Sequence, residues 1–342
     1  MKKAIKTLGE DLIAITEFMR RLDKFRTGVL LVVIASVSFW LGWHFFAFTI
    51  IAFPVLLAAI CVQREWRWWR RLRRIARDTE PHRHCAPAQQ TLEILGLKDD
   101  VIAHVLQQAR IDPEVPIAEL DQNNQVLSSV GSIPLFDDVM LDASAFRKRS
   151  RNRTRIVVVS DIVAVKKDYR DYESFRNEVI ALHTLRHIDA VPHIVSVNSK
   201  TRTLYQSLIP GRNLGSMLAA GGASVSAQYL LGIHYPGCGG WTESSAIHPE
   251  REVVLDLLHE IVGDDFIASL EDVIHRIHDA GVALRDIKHG NVLVYNGLPH
   301  LCDFDFSRVY NKSSGAFAML RKAELDKFKY LFGGPLRGGG VL

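Results

Sequence analysis

Two short runs concentrate the residues that could do chemistry. Leu284-Arg285-Asp286-Ile287-Lys288-His289-Gly290-Asn291 leads into the apolar Val292-Leu293-Val294, and Leu301-Cys302-Asp303-Phe304-Asp305 follows. A carboxylate such as Asp286 can orient a hydroxyl and take its proton. Lys288, two residues on, can offset negative charge that develops beside it. Asp303 and Asn291 are oxygen ligands of unequal strength, suited to a hard divalent cation. Upstream, Lys166 ends the run Val163-Ala164-Val165, with Glu178 twelve residues beyond it. A lysine on a rigid strand can hold anionic oxygens, and a carboxylate can fix the lysine. Taken singly these residues are ordinary: Asp286 and Asn291 suit turns, Asp303 a strand end, Lys166 a solvated strand end. Glu173 rivals Glu178, and Lys167 rivals Lys166 but is directed to the opposite face by strand alternation. The weight lies in their order and spacing.

With these motifs the chain resembles the protein-kinase-like superfamily over about residues 154–310. The first run resembles the catalytic loop, with Asp, Lys at +2 and Asn at +5 before an apolar strand. Leu301–Asp305 resembles Asp-Phe-Gly, with Asp305 in place of glycine. Val163-Ala164-Val165-Lys166 resembles the Val-Ala-Ile-Lys strand, and Phe175-Arg176-Asn177-Glu178 the helix that supplies its glutamate. The resemblance implies an α+β, bilobal protein-kinase-like fold with a reduced C-terminal lobe. It implies ATP and magnesium as cofactors, with Lys166 and Glu178 at the phosphates and Asn291 and Asp303 as metal ligands. Asp286 would be the base and Lys288 the cation beside the transferred group. The function implied is phosphate transfer to a protein Ser/Thr hydroxyl. A lipopolysaccharide-type sugar kinase and a pseudokinase acting as a binding module are the alternatives.

The departures from the family pattern bear on those alternatives. No Gly-x-Gly-x-x-Gly precedes Lys166; the corresponding stretch, Arg147–Arg155, is basic and lacks glycine. Its arginines are candidates for phosphate contact, and equally for a solvated basic hairpin. Leu284 stands where the family has histidine. Only 37 residues follow Asp305 and none forms Ala-Pro-Glu, which is closer to compact RIO-type and lipopolysaccharide sugar kinases.

The elements that must position these groups follow from local pattern. Ile156–Val159 and Ile162–Val165 read as strands joined by a tight Ser160-Asp161 turn. Phe175, Val179, Leu182 and Leu185 share one face of a helix. Residues 203–209 read as a further strand, Ala219–Glu250 as a Gly- and Ser-rich insertion, and Phe266–His278 as an amphipathic helix. Val101, Ile102, Val105, Leu106 and Ala109 form a helical stripe after Asp99 and Asp100, which could cap it. The kinase-like domain spans 151–342, with an N-lobe near 151–210 and a C-lobe near 211–342; residues 78–150 read as a linker and small helical adaptor without assignable chemistry.

Charge separates the front of the chain from its body. The 342 residues hold 42 basic and 38 acidic side chains, but residues 1–77 alone hold 14 basic and 5 acidic ones. The acidic body argues against a nucleic-acid partner. Residues 28–62 contain no Asp, Glu, Lys or Arg. Their 35 residues exceed one span, and Leu41–His44 offers a break. The expectation is therefore a membrane anchor over 1–77 built on a transmembrane helical hairpin at 28–62. Basic flanks on both sides put both ends in the cytoplasm, with Trp66, Trp68 and Trp69 as an interfacial belt. The expected partners are the lipid bilayer and an unknown protein or glycolipid acceptor. The expected location is integral to the membrane, the bacterial inner one on the sugar-kinase resemblance, with the kinase domain in the cytoplasm. Cys61, Cys85, Cys238 and Cys302 form no paired motif and fit a reducing compartment. His82, His84 and Cys85 could ligate a metal but read better as linker.

Overall fold

The computed structural model describes residues 32–33, 36, 43–79, 85–120, 126–133, 135, 152–223 and 251–333. The basic flank at 2–26, most of the run 28–42, His82 and His84, residues 147–151 and most of the 219–250 stretch lie outside the described residues. The chain divides into two units, Met1–Arg73 and Arg74–Leu342.

The second half of the expected hairpin, residues 45–62, lies within one continuous helix, α1 (Trp43–Asp78), and most of its first half lies outside the described residues. No helix among the described residues is long and apolar enough to cross a membrane. This overturns the transmembrane hairpin and the integral-membrane location expected from it. Residues 43–62 of the charge-free stretch are not a separate span, because α1 runs on through Pro54 into the arginine-rich segment. The Arg/Trp alternation there serves stacking one helical turn apart. The Arg70 guanidinium lies 3.4 Å from the Trp66 ring centroid and that of Arg73 5.7 Å from Trp69.

The second unit is α+β, with antiparallel sheets. Its largest sheet is built from β1 (Val115–Leu120), β2 (Val126–Ser129), β3 (Asn152–Val159), β4 (Ile162–Tyr169), β5 (Ile194–Asn198) and β6 (Thr203–Ser207). The strand order is β2-β1-β3-β4-β6-β5. Its centre is the β3–β4 hairpin, with Ile156 opposite Val165 and Val158 opposite Val163. The two-residue turn is tight, as the sequence implied: Ser160 and Asp161 have φ of 50° and 61°, the left-handed pair that matches strand twist. The helices α2 (Ala88–Ile94) and α3 (Asp99–Ala109) precede the sheet. The amide of Ala88 donates to the Asp161 carbonyl at 2.9 Å. Asp99 and Asp100 lie in the first turn of α3 but make no cap bond; Lys98 is its N-cap.

Leu92, Leu95, Ile102 and Val105 from these helices share one buried cluster with Ile117, Ile156, Val158 and Val163 of the sheet. The 78–150 segment is thus woven into the sheet through β1 and β2 rather than docked onto it. Toward the other end of β4 the sheet meets α4 (Tyr172–Thr184), which Asp171 caps by accepting from the Ser174 amide. Phe175, Val179, Leu182 and Leu185 are fully buried, the stripe that their spacing implies.

The remaining elements frame two loops. They are β7 (Arg212–Asn213), α5 (Leu214–Ala220), α6 (Arg251–Asp279), β8 (Val282–Ala283), β9 (Val292–Tyr295), β10 (Leu298–Leu301), β11 (Arg308–Val309) and α7 (Gly315–Phe332). The amphipathic segment Phe266–His278 is the second half of α6, which breaks at Gly263. β9 pairs with β10, and β8 with β11. The loop from Leu284 to Asn291 and the loop from Cys302 to Ser307 therefore begin and end on paired strands. They are held side by side.

The shared cluster makes a stability prediction. Leu92→Ala, which removes a fully buried side chain, should cost about 2–5 kcal/mol. Urea unfolding followed by far-UV circular dichroism should lose the Arg74–Leu342 unit in one shifted transition. An unshifted midpoint would mean that α2 and α3 fold apart from the sheet.

Candidate functional site

Two hydrogen bonds stitch the loops together, one from a backbone amide and one from a side chain. The Cys302 amide donates to the Asn291 carbonyl at 3.0 Å, which sets Asp303 one residue from Asn291. The Ser307 hydroxyl donates to the Leu284 carbonyl at 3.1 Å. Phe304, between Asp303 and Asp305 in the second loop, is fully buried. Asp303 itself has φ 65°, a left-handed conformation uncommon for a residue with a side chain.

Asp286, Lys288 and Asn291 form one hydrogen-bonded group. Lys288 Nζ donates to Asp286 Oδ2 at 2.6 Å. Asn291 Nδ2 donates to the Asp286 carbonyl at 2.8 Å and to its Oδ2 at 3.2 Å. These bonds fix the carboxylate and leave Asn291 Oδ1 available as a ligand. The group is itself tied to the rest of the chain. Asn213, the N-cap of α5, donates to the Gly290 carbonyl at 2.7 Å, and His289 Nε2 meets the Leu331 carbonyl of α7 at 2.9 Å.

The cation of the strand is Lys167, and this corrects the expectation for Lys166. Lys167 Nζ donates to Glu178 Oε1 at 2.9 Å and to Asp303 Oδ1 at 3.0 Å. Lys166 points away, to the Glu114 carboxylate, with both oxygens at 2.7 Å. Strand alternation separates the two lysines, and Lys167 rather than Lys166 shares a face with Glu178 and Asp303. The face that meets α4 carries Lys167 and Tyr169, whose hydroxyl also bonds Glu178. Tyr169, two residues beyond Lys167, is the sequence signal that marks this face. Glu114 carried no signal, lying 52 residues before its partner. Arg153 and Arg155 also serve the far face, paired with Glu119 at 2.7 Å and Asp168 at 2.5 Å; neither reaches the Lys167 site.

Glu178 is the carboxylate expected, fully buried on the packed stripe of α4. Glu173 is a surface partner of Arg308 at 2.6 Å. Of the residues singled out in the sequence, Glu178, Asp286, Lys288, Asn291 and Asp303 therefore surround one centre and Lys166 does not.

The electrostatics of this centre are coupled. For Lys167, burial favours the neutral amine, but Asp303 and then Glu178 outweigh it and keep the ammonium far above its ordinary range. Burial would raise the Asp303 pKa; Lys167 and then Lys288 hold it below the usual carboxylate range. Asp305 goes the other way. Burial first, then the Asp303 and Glu178 carboxylates, push it up to about 8, and its Oδ1 is buried without a hydrogen-bond partner. Four carboxyl groups, of Glu178, Asp286, Asp303 and Asp305, thus stand against the amino groups of Lys167, Lys288 and Lys327. The orphaned Asp305 oxygen, the Asp303 carboxylate and the open Asn291 Oδ1 are oxygen donors of the kind a divalent cation takes. Among the described residues no group of three or more His, Cys, Asp or Glu could hold a metal by itself. His82 and His84 lie outside the described residues.

No family model matches this chain, and no curated protein matches its sequence. The geometry alone bears on function.

His289 gives the loop a pH signature. Burial first, and Lys327 with it, lower its pKa from 6.5 to about 4, against the opposing bond to Leu331. Between those values the unfolded chain binds a proton that the folded chain excludes, so stability falls as pH drops through the window. His289→Gln, which keeps a donor and does not titrate, should lose less stability on acidification from pH 7 to 5, by about 2 kcal/mol. Urea midpoints at pH 7, 6 and 5 check this, and parallel pH profiles would refute it.

Proposed function

We propose that the chain is an ATP- and magnesium-dependent phosphotransferase of the protein-kinase-like kind, with a protein Ser/Thr hydroxyl as acceptor. One observation carries the reading. A buried strand lysine is shared by a helix carboxylate, Glu178, and a loop carboxylate, Asp303, beside a bonded Asp286–Lys288–Asn291 group. Charge on a polyphosphate needs cations held rigidly in place. Lys167, oriented by Glu178, would bind the α and β phosphates, which compete with Asp303 for its ammonium. Asp303 and Asn291 Oδ1 are the groups that would hold magnesium, whose contribution when bound is to neutralise phosphate oxygens.

Transfer then needs an oriented nucleophile. Asp286, held by Asn291 and Lys288, would accept a hydrogen bond from the acceptor hydroxyl and take its proton. The hydroxyl oxygen forms the new bond to the γ-phosphorus as the bond to the β-phosphate oxygen breaks, and ADP leaves. Lys288 offsets charge on the moving group. Asp305, at the position where protein kinases carry glycine, favours a sugar hydroxyl as the second acceptor reading. A binding module without turnover is favoured by the lack of a glycine-rich run before β3.

One experiment separates these readings: the full chain incubated with γ-labelled ATP, magnesium and fractionated extract. Label in protein supports the first and label in glycolipid the second. Nucleotide binding without any transfer supports the third. Asp286→Asn should lower transfer about 100-fold or more while keeping nucleotide affinity. Asp303→Asn should lose the magnesium dependence of nucleotide binding. Undiminished transfer in both variants overturns the enzyme reading.

A further inference from the structure

The Glu178 carboxylate has a second buried partner besides Lys167. Tyr169, the last residue of β4, is 4% exposed, and its hydroxyl bonds Glu178 Oε2 while Lys167 Nζ bonds Oε1. Burial first, then the Glu178 carboxylate, hold the phenol far above its ordinary range, so the hydroxyl is the donor. Each carboxylate oxygen thus has its own partner, and both partners come from one face of one strand.

The tyrosine is itself held in place. Its ring lies 5.7 Å from that of Phe175 at 60°, and Phe175 is fully buried one turn before Glu178 on α4. Its amide donates to the Arg202 carbonyl at 3.0 Å, which fixes the end of the strand. A carboxylate with one donor can turn about its last side-chain bond, since that torsion is broad. With Oε2 taken by Tyr169, Oε1 stays directed at the ammonium. This matters most once a polyphosphate has displaced Asp303, because Glu178 is then the carboxylate left to aim Lys167. No glycine-rich run precedes β3 to share that task.

The geometry points to Tyr169 as a positioning residue for the nucleotide, acting through Glu178 to set where the Lys167 ammonium meets the phosphates. This inference rests on the reading of Lys167 as the phosphate-binding cation.

The opposite face of the sheet supplies the control. There Tyr205 donates to Glu114 Oε2 at 2.6 Å, beside Lys166. Tyr169→Phe and Tyr205→Phe each remove one hydroxyl and keep the ring. In the full chain, the Kd for a non-hydrolysable ATP analogue with magnesium, measured by calorimetry, should rise at least about tenfold in Tyr169→Phe and stay within about twofold in Tyr205→Phe. The KM for ATP should rise in parallel in Tyr169→Phe with kcat within about threefold, because Lys167 meets the phosphates before and during transfer alike. A Tyr169 that only packs the core would lower kcat through loss of folded chain and leave KM unchanged. Adding Tyr169→Phe to Glu178→Gln should change Kd by less than about twofold, since the carboxylate it acts through is already gone. If Tyr169→Phe does not fold, Tyr169→His, whose ring is shorter, is measured in the same way. A Kd within twofold of the unaltered chain, an equal rise in Tyr205→Phe, or a full further loss in the Glu178→Gln background overturns the proposal. Absence of nucleotide binding by the unaltered chain would count against the phosphotransferase reading instead. The hold on Glu178 would then be judged by urea unfolding, where Tyr169→Phe and Glu178→Gln should be coupled at least about fivefold in the equilibrium constant and additive effects would overturn it.

Discussion

The Lys167 ammonium is the charge on which the second unit is organised. A cation taken out of water costs several kcal/mol unless opposite charges meet it at hydrogen-bond distance. Glu178 and Asp303 do so at 2.9 and 3.0 Å, and they come from different parts of the chain. One side chain thereby ties β4 to α4 and to the loop after β10. Glu178 is completely buried, while the Asp303 side chain keeps 37% exposure. The inner bond therefore acts as a fixed anchor. The outer bond faces solvent and is the one a ligand can exchange. Loss of either carboxylate would leave the ammonium short of compensation, which is why the sheet, the helix and the loop have to be built together.

The Asp286 loop obeys a second constraint, satisfied backbone. Its turn at Arg285 and its short helix at His289–Asn291 expose amides and carbonyls that a buried loop has to pair. Glu324, Asn213 and Ser307 supply partners to that backbone, and the His289 ring adds a bond to the Leu331 carbonyl of α7. Three of the four bonds reach outside the loop pair or tie it to α5 and α7. Through Glu324 and the Leu331 carbonyl, α7 braces the Asp286 loop. Lys166 and Glu114 play a comparable role on the far face, where a residue before β1 holds β4 down across the sheet.

Much of this was legible in the residues themselves. The β3–β4 turn, the stripe of α4 and the spacing of Asp286, Asn291 and Asp303 are local patterns, and local patterns survive folding. What could not be read depends on packing between distant segments. Adjacent lysines announce opposite faces but not which face α4 will cover, so Lys167 became clear only with Glu178 and Tyr169 beside it. Glu114 and Glu324 act on partners tens of residues away, and nothing near them in sequence marks the pairing. Residues 28–62 misled for a different reason: the absence of charge says where a helix is apolar, not where it ends. α1 carries the segment onward into arginines that stack on its own tryptophans.

The choice between the two lysines is the most exposed point of the account. Lys167→Met and Lys166→Met, each in the full chain, should be compared for magnesium-dependent ATP turnover and for thermal stability in the absence of nucleotide. The account predicts that Lys167→Met loses turnover by about 100-fold or more while Lys166→Met stays within a few-fold of the unaltered chain. Retained turnover in Lys167→Met with turnover lost in Lys166→Met would contradict it.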